Sequence, residues 1–412
     1  MPSCAGWVGA ALVLLGSGVA DAASPSGASD GSTRRRSPRL EAWPPRVESR
    51  DGKYSFRPTG RLHLDGRFDP SGLASSPSFD TGYVIRRARI GFRAKAFDRL
   101  EADVAVQYSQ GDLSFENAYL EVAMTDWLHL RAGQMLLPFS LQRRTSSNAL
   151  VHPERAVMVE KLVFFRAFGA ALDVSLLDES LELQFGVYDA ATGVPGFDQP
   201  PDLAGRIRGD PVAAVTMEVA YRWSPPTSRG GVPADARTSG GELAPILIYR
   251  DDDAWREGSR HDAAAGARFV LGPVMLQAEL LVEHTRGLHV QGENVGNLLD
   301  WGGFVDLSWA ITGERQDGEE LEPRRSLGPR GAGAWQIALR YETLVADRKT
   351  LEADLAFGRQ TLHGGAATVI WTPLPGVRWM LYYSYSRLGG ASAGPVVSRD
   401  VHAVITRIDF HF

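Results

Sequence analysis

The chain has 412 residues, of which 44% are apolar, 23% charged and 9% aromatic, with 44 Gly, 24 Pro and a single Cys. That is too apolar for a disordered chain and too polar for a bundle of membrane helices, and a net charge of −5 provides no basic excess for nucleic acid. Of the 44 basic residues only Lys53, Lys95, Lys161 and Lys349 are lysines. The rest are arginines, whose fork-shaped guanidinium grips oxyanions, although a GC-rich genome gives the same bias.

The longest uninterrupted apolar run, residues 5–20, is too short and Gly-rich to span a bilayer as a helix. Ala20-Asp21-Ala22 follows as a small-x-small cleavage site, so residues 1–22 read as a signal peptide, one without Lys or Arg before its apolar core. Cys4 lies inside this leader, which leaves the exported part cysteine-free. Residues 23–52 are rich in Ser, Pro, Gly and Arg and read as a flexible polar segment, with Arg34-Arg35-Arg36 as solvated linker charge or a contact to an anionic surface.

From Leu62 onward apolar and polar residues alternate in runs of about nine to eleven residues, parted by Gly, Pro, Asp and Ser, which is the period of β-strands. Leu100, Ala102, Val104, Val106 and Tyr108 oppose Glu101, Asp103 and Gln107. Ala118, Leu120, Val122 and Met124 repeat the pattern, as do Phe168 to Leu176, Leu181 to Val187, Val215 to Tyr221, Val274 to Val282, Val305 to Ile311, Trp335 to Tyr341 and Val377 to Tyr385. Strands near ten residues suit a tilted bilayer crossing, whereas soluble strands average about five or six. Short connections (95–100, 176–181) and long polar ones (224–245, 312–332) suggest turns on one rim and loops on the other. Tyr83, Trp127, Trp223, Trp301, Trp371, Trp379 and Tyr385 sit near strand ends, where interfacial girdles belong. The chain closes on an alternating strand, VHAVITRIDFHF, with an outward Phe412.

These features predict an all-β fold over residues 53–412: a transmembrane antiparallel up-and-down β-barrel of about sixteen strands with an inward-folded loop. About fifteen strands are visible, and the missing one falls within 190–214 or 242–262.

Two segments carry chemistry. In residues 83–97 one parity holds Arg87, Arg89, Arg93 and Lys95, and the other Ala88, Ile90, Phe92, Ala94 and Ala96. An Arg facing the bilayer midplane costs roughly 2–4 kcal/mol, so the cations must line the lumen. Same-face neighbours are about 7 Å apart and repel unless screened, with Glu101 and Asp103 as the screens on the next strand. A charge ladder that only stabilises the wall fits the same pattern. The second segment, residues 137–166, does not alternate and carries Arg143, Arg144, Arg155, Lys161 and Arg166 against Glu154 and Glu160. Its apolar content (Leu137, Phe139, Val163, Phe164, Phe165) favours a loop folded into the lumen, where its charge would set selectivity.

Arg86-Arg87-Ala88-Arg89-Ile90-Gly91-Phe92, Asn117-Ala118-Tyr119-Leu120-Glu121, Leu130-Arg131-Ala132-Gly133-Gln134, Leu137-Pro138-Phe139-Ser140 and Thr145-Ser146-Ser147 together resemble the phosphate-selective porin O and P family. Ile311-Thr312-Gly313-Glu314, residues 334–341 (AWQIALRY) and residues 377–383 (VRWMLYY) are similar to its C-terminal half. The resemblance spans about residues 60–412. It implies a sixteen-stranded outer-membrane barrel, usually trimeric, with an inward third loop and an arginine-lined path for phosphate or other anions. The phosphate-selective members also use pore lysines, of which this chain has only Lys95 and Lys161 in the relevant region.

The function expected is therefore an outer-membrane porin with a water-filled, anion-leaning channel for small solutes, phosphate or polyphosphate among them. A non-selective porin and a structural or binding barrel with a plugged lumen are the alternatives. No His-Glu-x-x-His, Gly-x-Ser-x-Gly or Cys-x-x-Cys motif is present, so the reading is a channel rather than an enzyme, with no cofactor or metal. Expected partners are outer-membrane lipid, the barrel assembly machinery, small anions and two further copies in a homotrimer, with no nucleic acid.

Overall fold

The computed structural model describes residues 39–40, 46–68, 82–109, 111–162, 166–189, 200–228, 236–237, 245–249, 254–394 and 399–412. The expected signal peptide and most of the polar segment lie outside the described residues. Sixteen long antiparallel strands close into one barrel. They are β1 Tyr54–Phe68, β2 Gly82–Ala96, β3 Leu100–Ser109, β4 Asp112–Ala123, β5 Leu128–Met135, β6 Ala167–Leu176, β7 Leu181–Asp189 and β8 Asp202–Val212. The second half comprises β9 Val215–Ser224, β10 Arg260–Leu271, β11 Val274–Val290, β12 Glu293–Ala310, β13 Ala334–Val345, β14 Ala356–Leu374, β15 Val377–Ala393 and β16 Asp400–His411.

Each strand pairs with its sequence neighbour, and β16 closes on β1 with Ile408 opposite Leu64 and Phe410 opposite Leu62. The terminal residue extends the seam, because Gly60 and Phe412 exchange both backbone hydrogen bonds at 3.1 Å. A side chain at Gly60 would collide with the Phe412 ring, its Cβ lying 2.3 Å from a ring carbon. The apolar parity faces outward as expected, with Ile90 71% and Leu120 63% exposed. Closure leaves no unpaired strand edge for hydrocarbon to meet.

Three strands with faint alternation include the one missing from the sequence count. β8, inside the 190–214 window, alternates Leu203, Gly205 and Ile207 with Ala204, Arg206 and Arg208. The outward side of β10 is Ala263, Ala265 and Ala267, and β14 has Gly364-Gly365-Ala366-Ala367 at its middle. Small residues on both parities flatten the hydropathy pattern.

The long connection 311–333 corrects the rim assignment. It follows β12 and therefore lies on the same rim as the two- to four-residue turns 97–99, 124–127, 177–180, 213–214, 272–273 and 375–376 and the C terminus. Connection length by itself carries no rim label. The segment is tied down by the Gln316 N–H to the Gly272 carbonyl (2.9 Å), the Leu327 N–H to the Pro373 carbonyl (2.7 Å) and an ion pair between Glu320 and His411.

The segment 136–166 joins β5 to β6 and folds into the barrel, carrying two short helices, α1 Leu141–Arg144 and α2 Val157–Leu162. Phe139, Val157, Met158 and Leu162 pack with inward residues of the wall, among them Leu281, Phe304, Leu344 and Tyr382, and with Ile246 and Leu247 from the β9–β10 connection. On that half of the wall apolar inward residues stand among charged ones, and burying them helps hold the loop in place.

Candidate functional site

The β2 wall carries its cations as parity requires, with one irregularity. Opposite β1 the register slips between His63 and Leu64, so that Arg87 faces His63 while Ile85 faces Leu64 and Arg86 is the extra residue. This bulge turns Arg86 inward beside Arg87, where alternation alone would send it to lipid. Arg89 pairs with Glu116 (2.7 Å), Arg93 with Glu101 and Asp103 (both 3.1 Å), and Lys95 with Glu101 (3.0 Å). Glu101 and Asp103 thus lie where they screen the ladder. The Arg93 and Lys95 side chains remain 49% and 56% exposed, so the ion pairs are open to water.

Arg87 is different. It is buried and shares Glu154 with Arg86 and Arg407, which makes it part of the loop's anchorage. Arg407 also binds Asp65 at 2.6 Å. Burial opposes charge on Glu154, yet Arg86, Arg407 and Arg87 hold its carboxyl well below the usual carboxylate range.

The loop residues divide by partner. Arg143 bonds Glu160 at 3.2 Å. Arg155 is buried and donates to the carbonyls of Gln142, Arg143 and Thr145, clamping the end of α1. Lys161 is buried between Asp300 (2.6 Å) and Glu283 (3.5 Å) with its side chain 0% exposed, so it anchors α2 to the wall and faces no open lumen. Both were expected from the sequence as path residues; here Arg155 is claimed by carbonyls of its own loop and Lys161 by carboxylates of distant strands. Arg144 has no carboxylate within ion-pair distance among the described residues. Burial first, then the charge of Arg206, push its guanidinium down to about 10, so it is still charged at neutral pH.

Several site residues were not picked out from the sequence as part of a path. Starting the first strand at Leu62 hid Arg57 and Arg61, which stand opposite Arg93 and Arg89. Arg61 donates to the hydroxyls of Ser147 (2.5 Å) and Ser146 (3.0 Å) on the loop. Arg166 closes on Glu116 from the far end of the loop, and Arg131 on β5 bonds Glu121 (2.7 Å) on the adjacent β4. Inward parity of a strand carrying Arg was the available signal for Arg57, Arg61 and Arg131. Chemically, the arrangement is a file of guanidinium groups, most of them sharing carboxylate, hydroxyl or carbonyl acceptors. Such groups can exchange partners with a passing oxyanion. No cluster of three or more His, Cys, Asp or Glu suited to a metal occurs among the described residues.

Over residues 56–412 the chain matches the sequence pattern of the family described as Phosphate-selective porin O and P. Its barrel is similar to that of an anion-selective porin from Comamonas acidovorans, with 12% identity and a TM-score of 0.57 over 87% of this chain and all of that one. It is also similar to OmpT, an outer-membrane protein of Vibrio cholerae in trimer form, with 10% identity and a TM-score of 0.56 over 87% of this chain and 100% of that chain. The outer-membrane channel DcaP of Acinetobacter baumannii has 14% identity and a TM-score of 0.52 over 89% of this chain and 99% of that one. No curated protein sequence matches the chain closely enough to count as a relative.

Proposed function

Because the chain belongs to the phosphate-selective porin O and P family, its barrel is an outer-membrane channel, and we propose that the channel passes small anions, phosphate among them. The observation that carries this reading is Arg144. A loop inside the barrel presents a charged guanidinium without a carboxylate in ion-pair contact, within electrostatic range of Arg206, Glu218, Arg131 and Asp173. An anion arriving there meets a half-buried cation and has no ion-paired carboxylate to displace. Arg57, Arg61, Arg89, Arg93 and Lys95 form the file on the β1–β2 side, and Arg143 and Arg166 face it from the loop. Arg87, Arg155 and Lys161 are read as scaffolding for that path. The short-turn rim faces the periplasm, export uses the leader at residues 1–22, and assembly is as a homotrimer.

A second reading is favoured by the apolar packing inside the barrel and by the segment 311–333 on the short-turn rim, which suit a plugged barrel that binds rather than conducts. Single-channel recording in chloride separates the two. The account expects phosphate to block chloride current, with the block weakened in Arg144→Ala and Arg61→Ala. Anion current that phosphate leaves unchanged would reduce the reading to a general anion porin, and a silent barrel would establish the plugged one.

A further inference from the structure

The outer surface of β9–β13 carries a feature that a pore does not need. Where most of the lipid-facing parity is bulky, Ala265, Ala267, Ala278 and Gly303 form the floor of a furrow of about 510 Å³, walled by Met217 and Val305. Ala267 stands opposite Ala278, and Leu280 stands between Ala265 and Gly303, so the small residues run across three strands around one Leu side chain. On the same strands, toward the rim away from the C terminus, the outward parity turns polar. His261 stands directly opposite His284, with their rings 6.3 Å apart, and the exposed Arg286 follows two residues on.

His261 is fixed from both sides, its Nδ1 2.5 Å from the Tyr221 hydroxyl and its Nε2 2.7 Å from that of Ser259. The His284 and Arg286 side chains make no hydrogen bond or ion pair among the described residues. Trp223, opposite His261, and Trp301, opposite Val282, mark the interfacial level. At the other end of these strands the outward residues Met217, Phe269, Leu271, Leu276, Trp309 and Trp335 include no cation.

We infer that this surface is a lipid site, in which the furrow takes an acyl chain of an outer-leaflet lipid and His284 and Arg286, steadied by His261, bind its phosphate. A cation costs little at the interface and much at the midplane, and Arg286 stands at the interfacial end. Arg and imidazole donors are matched to a phosphate, and a furrow lined by Cβ and Cα atoms is matched to a methylene chain. The inference rests on the barrel spanning the membrane and is independent of which ions the channel passes.

The test is native mass spectrometry of the full chain purified in detergent, with heat-modifiable gel mobility confirming the folded barrel. Bis-phosphorylated lipid A, its dephosphorylated form and phosphatidylglycerol are the probes. The expected result is retention of the bis-phosphorylated lipid at least roughly tenfold over the other two, with about the same loss in His284→Gln/Arg286→Gln and in Ala265→Leu. Equal retention of the dephosphorylated form or of phosphatidylglycerol would overturn the inference, as would variants that bind like wild type. An oligomer that falls apart in Ala265→Leu while lipid retention is unchanged would assign the furrow to a second copy of the chain, and would also overturn it.

Discussion

At the scale of single residues, Glu154 is where the docked loop is most exposed to substitution. Glu154→Gln leaves Arg86, Arg87 and Arg407 crowded together with one charge fewer between them. Breaking a buried ion pair from one side costs about 3–5 kcal/mol. The expected outcome is a loop that detaches transiently, read as increased open-channel noise and as new protease cleavage within 144–156. His152 supplies a pH dependence. It lies at 2.6 Å from the Thr368 hydroxyl, and burial, followed by the Arg340 charge, pushes its pKa down to about 3. A released loop exposes it at its ordinary value near 6.5, so the free form binds the proton more tightly. Docking is therefore fully supported above about pH 6.5 and loses on the order of 1.4 kcal/mol per unit as pH falls toward 3. Loop noise should rise on acidification in wild type and rise less in His152→Gln. Lys95 and Lys161 show what the sequence could not reveal at this scale. Lys95 finds its carboxylate in the adjoining strand and stays wet, whereas Lys161 is claimed by Asp300 and Glu283 from strands far along the chain.

At the scale of elements, alternation identified the strands whose outward side is bulky and missed those whose outward side is small. β2 and β3 were legible because Ile90, Phe92, Val104 and Val106 contrast with Arg and Asp, while β10 and β14 offered Ala and Gly on both faces. The Arg86 bulge was illegible for a related reason: an extra residue changes facing without changing composition. The loop 136–166 was recognisable from its broken period, but its anchors were not, because the wall residues that hold it are spread over several strands. Two elements yield predictions. Gly60→Val should push the Phe412 ring off the seam and lower the yield of heat-modifiable barrel, with Phe412→Ala in the same background restoring part of it. Removing residues 315–330 and joining the ends with a short Gly-Ser turn should raise single-channel conductance, since these residues lie on the short-turn rim. An unchanged conductance would place that segment clear of the path.

At the scale of the whole molecule, a net negative chain presents a cationic interior path because its charges are sorted by face and partner. Lumenal carboxylates such as Glu116, Glu121 and Asp103 each bind arginines from the walls and the loop. Closure of the barrel keeps this sorting away from lipid, where the same arginines would each cost roughly 2–4 kcal/mol at the midplane. The most direct test of the central claim is the zero-current potential of the purified wild-type chain in a planar bilayer under a KCl gradient. The account predicts a chloride-selective sign, weakened when Arg61, Arg89 and Arg93 are replaced together by Gln. A potassium-selective sign, or a chloride-selective one that the triple replacement leaves untouched, would contradict it.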